Sequence, residues 1–104
     1  MALATGNGQW QHAREDGRLL STLGHPLRLL IVCKLLRGEN FVQKLLEEVG
    51  TTKGNLSQHL RLLTDRGLLQ SRKEGNRVYY AIRDPRLRHL IARLKRLYCP
   101  GLKI

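Results

Sequence analysis

A mainly α-helical fold carrying one β-hairpin is predicted by three features of this 104-residue sequence. Leucines recur at helical spacing through most of the chain, and Gly or Pro punctuates each such stretch. Only residues 68–82 have strand composition, arranged around a Glu74-Gly75-Asn76 turn. The length suits one domain with a single modest core.

Residues 1–8 hold Gly6, Asn7 and Gly8 with few apolar anchors, and are expected to form a loose arm. Residues 9–99 then form the domain, and residues 100–104 a short C-terminal tail. A first helix is expected from Gln9 to Leu23, contributing Leu19, Leu20 and Leu23. After Gly24-His25, Pro26 is well placed to open a second helix that runs to Arg37 and stops at Gly38. Its segment PLRLLIVCKLLR is apolar almost all round, which places it at the centre of the fold. Cys33 lies there on one stripe with Leu29 and Leu36. Asn40, with Gln43 three residues on, is an N-cap candidate for a third helix through Val49, ended by Gly50.

The fourth helix spans Thr52 to Gly67, with Thr52 as N-cap and Gly67-Leu68 as its stop. Leu56, Leu60 and Leu63 cluster on one arc with His59 at its edge, the position of a half-buried, hydrogen-bonded histidine. Gly54, Ser57, Gln58, Arg61 and Asp65 share the opposite arc. Two short helices joined by Thr51-Thr52, the second with a polar outer face, form a helix-turn-helix. The hairpin strands, residues 68–73 and 77–82, follow with a basic tip. Asp84-Pro85 starts the last helix, whose apolar arc holds Leu87, Leu90, Ile91, Leu94, Leu97 and Tyr98. The order helix, helix, helix, helix, hairpin, helix is that of a winged helix-turn-helix.

Lys and Arg number 19 against 8 Asp and Glu, a net charge of +11. Such a surface binds polyanions by counterion release, and double-stranded DNA is the expected partner. The expected readers are Lys53, Gly54, Asn55, Ser57, Gln58 and Arg61 on the fourth helix, where Gln and Arg suit base edges. Arg72, Lys73, Asn76 and Arg77 on the wing are expected at phosphates or a minor groove. Leu19, Leu20, Leu23, Leu87, Leu90, Ile91, Leu94 and Leu97, on the two terminal helices, suit a two-fold interface. A homodimer would set two reading helices about one DNA turn apart over a near-palindromic operator. The basic outer face of the last helix is not explained by dimerisation.

No paired carboxylates, nucleophile–base constellation or phosphate loop is present, so an enzyme is not expected, nor a cofactor. The four His are scattered and no CxxC occurs, so no metal site is expected. There is no long apolar segment, and MALATGNGQWQH lacks the regions of a signal peptide, so a cytoplasmic protein off the membrane is expected. Cys33 and Cys99, 66 residues apart, are either inert or a regulated pair.

The stretches LGHPLRLLIVCKLL and NLSQHLRLLTDRGLLQSRKEGNRVYYAI resemble the ArsR/SmtB family of bacterial winged-helix repressors, over residues 19 to 99. The metal-sensing members carry a cysteine pair in the third helix or paired ligands on the last. Here NFVQKLLEEVG has no cysteine, and the last helix has Asp84 and His89 without a second pair. The contexts LIVCKLL and RLYCPG are instead similar to those of the dithiol sensors SqrR and BigR and the related HlyU regulators. That resemblance implies a reduced dimer that blocks transcription. Reactive sulfur species or oxidants would then join Cys33 to Cys99 and lower DNA affinity. The alternatives are a metal-responsive repressor of the same fold and a constitutive DNA-binding protein with structural cysteines. The start of the fourth helix, Thr52-Lys53-Gly54-Asn55, departs from the family's usual Ser-Gln-Ser-Ala type, which implies a different operator.

Overall fold

The computed structural model describes residues 8–98. Helix α1 (Gln9–Leu23) leads into α2 (Pro26–Lys34), which tightens into a 3₁₀ turn over Leu35–Arg37. A two-residue strand β1 (Asn40–Phe41) precedes α3 (Val42–Val49) and α4 (Lys53–Asp65). Strands β2 (Leu69–Glu74) and β3 (Arg77–Ile82) form the wing, and α5 (Pro85–Tyr98) ends the described chain.

Local chemistry sets these boundaries. The His25 Nδ1 accepts from the Leu27 N–H at 3.1 Å and caps α2, with Pro26 in its first turn. Thr52 Oγ1 accepts from the Asn55 N–H at 3.2 Å and caps α4. At the other end, Leu68 N–H reaches Leu63 O and Gly67 N–H reaches Thr64 O, both at 3.0 Å, with Gly67 at φ +79°. This is a Schellman stop, in which glycine takes a conformation that side chains disfavour.

Asn40 does not cap α3. Phe41 is the cap position, without a side-chain bond, and the Asn40 Oδ1 accepts from the Phe41 N–H. Residues 40–41 are instead recruited as a third strand in the order β1-β3-β2, with Asn40 opposite Tyr80 and Phe41 opposite Tyr79. The ladder won because β3 otherwise presents an open edge to that segment. Strand β2 also runs one residue further than its composition suggests, pairing Glu74 with Arg77 across the Gly75-Asn76 turn.

Helix α2 packs against α1, α3, α4 and α5. Ile31, Val32 and Cys33 are consecutively buried in it, as a helix apolar on most sides requires. Leu45 of α3, Leu56, Leu60 and Leu63 of α4, and Leu69 and Ile82 of the wing complete one core. Three residues expected at a dimer interface, Leu23, Leu87 and Ile91, are buried in this same core. Leu19 and Leu94 are half-buried against it, while Leu20, Leu90 and Leu97 face outward. Helical spacing does not separate the two roles, because one helical arc serves the chain's own core along one edge and solvent along the other. No single helix among the described residues is long and apolar enough to cross a membrane.

Candidate nucleic-acid interface

Burial of Leu56, Leu60 and Leu63 fixes the roll of α4 and leaves Lys53, Gly54, Ser57, Gln58 and Arg61 exposed. Lys53 and Ser57 share a 460 Å³ groove with Asn76 and Arg77 of the wing. Recognition-helix and wing residues predicted separately are thus brought onto one surface. Gln43, in the first turn of α3, lines the same groove and was missed by the sequence reading. Gln58 and Arg61 lie further along α4 in a second groove of 300 Å³, beside Asp65. Gly54 is exposed, and a Cβ there would meet no atom within 4 Å. Asn55 is turned back into the helix start, its amide donating to Thr51 Oγ1 at 3.4 Å.

Arg72 does not stand free at the wing. Its Nε and Nη2 donate to both Glu39 carboxylate oxygens at 2.7 and 2.6 Å, and its Nη1 to Glu74 at 2.6 Å. The guanidinium lies 4.4 Å from the centre of the Tyr79 ring, its cross-strand neighbour. Phe41 meets the same Tyr79 ring edge-on at 5.8 Å and carries the Arg77 guanidinium over its own face at 4.4 Å. Glu39, Arg72, Tyr79, Phe41 and Arg77 therefore form a clamp that fastens the wing to the entry of α3. The Arg72 hydrogen bond holds the Glu39 carboxyl below its usual range, and Glu39 and Glu74 in turn raise Arg72. Arg72, expected at a phosphate, is thus held by two carboxylates. Glu39 could not be paired with it from sequence, since 33 residues separate them. Lys73 and Arg77 remain exposed without an ion pair among the described residues.

Behind α4, His59 is half-buried as expected, but its Nδ1 has no hydrogen-bond partner. Its ring lies 4.5 Å from that of His25, a pairing that the scattered sequence positions conceal. Burial lowers the His59 pKa, and the neighbouring His25 and Arg28 lower it further. At the far end of α4, the Arg66 Nη1 donates at 2.6 Å to the hydroxyl of buried Thr22, which itself donates to Arg18 O at 2.8 Å. This joins the last turn of the reading helix to α1.

Cys33 is 2% exposed in α2. Cys99, the residues after it and residues 1–7 lie outside the described residues, and so do most of the expected arm and the whole C-terminal tail. Among the described residues no group of three or more His, Cys, Asp or Glu is placed to hold a metal ion.

Known proteins share this arrangement. The sequence pattern of the family described as bacterial regulatory protein, arsR family, matches residues 25–71. The biofilm growth-associated repressor of Xylella fastidiosa, BigR, is 33% identical over 89 residues, covering 86% of this chain and 78% of its own. Its crystal structure superposes with a TM-score of 0.81 over 86% of this chain and 91% of that one. Reduced HlyU from Vibrio cholerae is 34% identical with a TM-score of 0.81, over 86% of this chain and 94% of that one. The homodimeric winged helix-turn-helix DNA-binding domain of a possible ArsR-family regulator from Mycobacterium bovis is 27% identical, with a TM-score of 0.78. It covers 93% of this chain and 89% of that one. With α4 and its wing disposed as a reading head and relatives of this identity along most of its length, the chain belongs to the arsR family of bacterial DNA-binding transcriptional regulators, among the relatives of BigR and HlyU.

Proposed function

We propose that this regulator is a cytoplasmic, homodimeric repressor that acts by binding DNA rather than by catalysis. In this reading its operator affinity is switched by cross-linking of Cys33 and Cys99. The observation that carries it is the seat of Cys33, buried in α2, which packs against both the reading helix α4 and the terminal helix α5. Cys99 follows directly on Tyr98, the last residue of α5. A covalent link between the two tethers the end of α5 to the scaffold beneath α4. In a dimer, that displaces two half-sites from one-turn register, and phosphate and base contacts are lost together. The relatives support the reading: BigR is a repressor, HlyU has a form distinguished as reduced, and the M. bovis domain is homodimeric.

The inducer is an oxidised sulfur species or another oxidant. It takes two electrons from the thiol pair, whose two protons pass to the reduced products: a disulfide or polysulfide leaves as thiol or hydrosulfide, a peroxide as water, and sulfur retained between the cysteines makes the bridge a polysulfide. Burial of Cys33 means that its sulfur is reached only when the packing around α2 opens. The test is intact mass after disulfide and after persulfide treatment, with operator affinity measured on the same samples. The expected result is a mass change equal to a bridge, together with weakened binding that a Cys33→Ser or Cys99→Ser variant does not show. Unchanged affinity in a cross-linked sample overturns the switch. Release of operator from the double Cys→Ser variant by zinc or arsenite would favour the metal-responsive alternative.

A further inference from the structure

The positive charge that the reading surface leaves unexplained sits on α5. From Arg83 to Tyr98 there are six Lys or Arg residues against Asp84 alone. Asp84 is held by Arg86 at 2.8 Å, and Arg88 is turned inward to donate to the Leu36 carbonyl. His89, Arg93 and Arg96 face outward and, with Leu90 and Ala92, line a groove of 780 Å³. Arg93 and Arg96 have no carboxylate within ion-pair distance among the described residues. No residue of α4 or the wing lines this groove, and no residue of α5 lines the groove between α4 and the wing.

A solvated helix face is the plain alternative, but such faces are normally laced with charges of both signs. Like charges three residues apart, as Arg93 and Arg96 are, with no acid between them, are unfavourable to the helix itself. Of His89, Arg93 and Arg96, Arg96 alone shares the last turn, with Lys95, where a cation complements the helix dipole. The spacing from 89 to 93 to 96 sets the three groups in one row over about 10 Å of helix axis. A DNA strand offers a phosphate about every 3.4 Å of its axis, so the row spans roughly three. Arginine presents a planar fork of donors that matches phosphate, and an imidazole N–H adds another.

We propose that this face of α5 is a second, sequence-independent contact for duplex DNA, made to backbone phosphates by Arg93 and Arg96 with His89. A molecule seated on its operator then holds a further duplex segment on the side that carries α5. Duplex DNA is favoured as occupant because the row is linear, of phosphate spacing, and sets two arginines beside an imidazole with no acid between them, in a protein whose family binds DNA.

The experiment immobilises a short operator duplex, saturates it with protein so that the reading surfaces are filled, and adds labelled random duplex at about 0.1 M salt. Capture of the second duplex is expected, falling about tenfold for Arg93→Gln/Arg96→Gln while operator binding is retained. For random duplex in solution, the slope of log affinity against log salt should shrink by about 2 in that variant, near 0.9 per lost phosphate. A Gln58→Ala/Arg61→Ala variant should lose operator preference yet keep the α5 share of that slope, so the two surfaces fail separately. No capture by the native protein, or capture and slope unchanged by the α5 substitutions, overturns the proposal. An acidic protein partner on this face would give that second result.

Discussion

Gly54 occupies the second residue of α4, exposed and with open space where a Cβ would stand. Nothing in the protein requires glycine there; either a first turn tolerates it or close approach of a DNA backbone is its reason, and the second makes a prediction. Gly54→Ala should therefore raise unfolding stability by up to about 1 kcal/mol while lowering operator affinity. Chemical denaturation and a binding titration on the same variant check both signs, and unchanged affinity would mean that the position is merely tolerant. His59 makes a prediction about pH. Burial, with His25 and Arg28 beside it, depresses its pKa below the ordinary 6.5. Between that depressed value and 6.5 the unfolded chain binds more protons than the folded one. Stability should thus be level above 6.5 and fall as pH drops below it. Denaturation midpoints at about pH 7.5 and pH 5.5 should differ less in His59→Gln than in the native chain. The half-burial of His59 was legible from its place at the edge of the leucine arc. Its contact with His25 was not, because that depends on how α2 crosses α4 rather than on either helix alone.

At the level of elements, the reading helix was the most legible part of the chain: its cap, its stop and its buried arc are all local. The wing's anchorage was not. A two-residue strand has too little sequence to announce itself, and Asn40 carries an N-cap signature that its pairing with Tyr80 overrides. The consequence is that Arg72 and Lys73, adjacent and alike in sequence, have different work. Glu39→Gln/Arg72→Gln removes the clamp without changing net charge. It should speed amide exchange across the β1–β3 pairing and leave the salt slope of DNA binding unaltered. Lys73→Gln should leave exchange alone and lower that slope by about 0.9, as loss of one phosphate contact requires. The bond from Arg66 to Thr22 is a second anchorage, between α4 and α1. Thr22→Val removes the acceptor at nearly constant volume and should cost about 0.5–1.5 kcal/mol of stability. The loss should be non-additive with Arg66→Met, since either change alone breaks the same bond.

The whole molecule carries two adjoining surfaces on its terminal helices, one apolar and one cationic, that should answer salt in opposite directions. Leu20 is 60% exposed and Leu97 68% exposed, and Trp10, Leu90 and Tyr98 are also exposed on α1 and α5. Leu20 and Leu90 flank an apolar groove of 260 Å³ between α1, α2 and α5, the natural seat for a second copy in the proposed dimer. Leu90 also lines the cationic groove with His89, Arg93 and Arg96. Closing a two-fold interface on the apolar groove therefore draws two rows of like charge toward one another. Their repulsion acts over about 10 Å at 0.1 M salt and is screened beyond that as salt rises. Apolar burial, which drives the association, is not weakened by such screening. Dimer affinity should consequently increase with ionic strength while operator affinity falls, a divergence that neither the charge count nor the leucine pattern suggests alone. Sedimentation equilibrium at about 0.05 and 0.5 M salt measures the first trend, and operator titration at protein concentrations above the dimer dissociation constant measures the second. Arg93→Gln/Arg96→Gln should flatten the first trend. Leu90→Lys/Leu97→Lys should hold the chain monomeric at both salts, with its fold intact and its operator affinity reduced to that of a single half-site. A dimer that weakens with salt would place the interface elsewhere than beside the α5 cations.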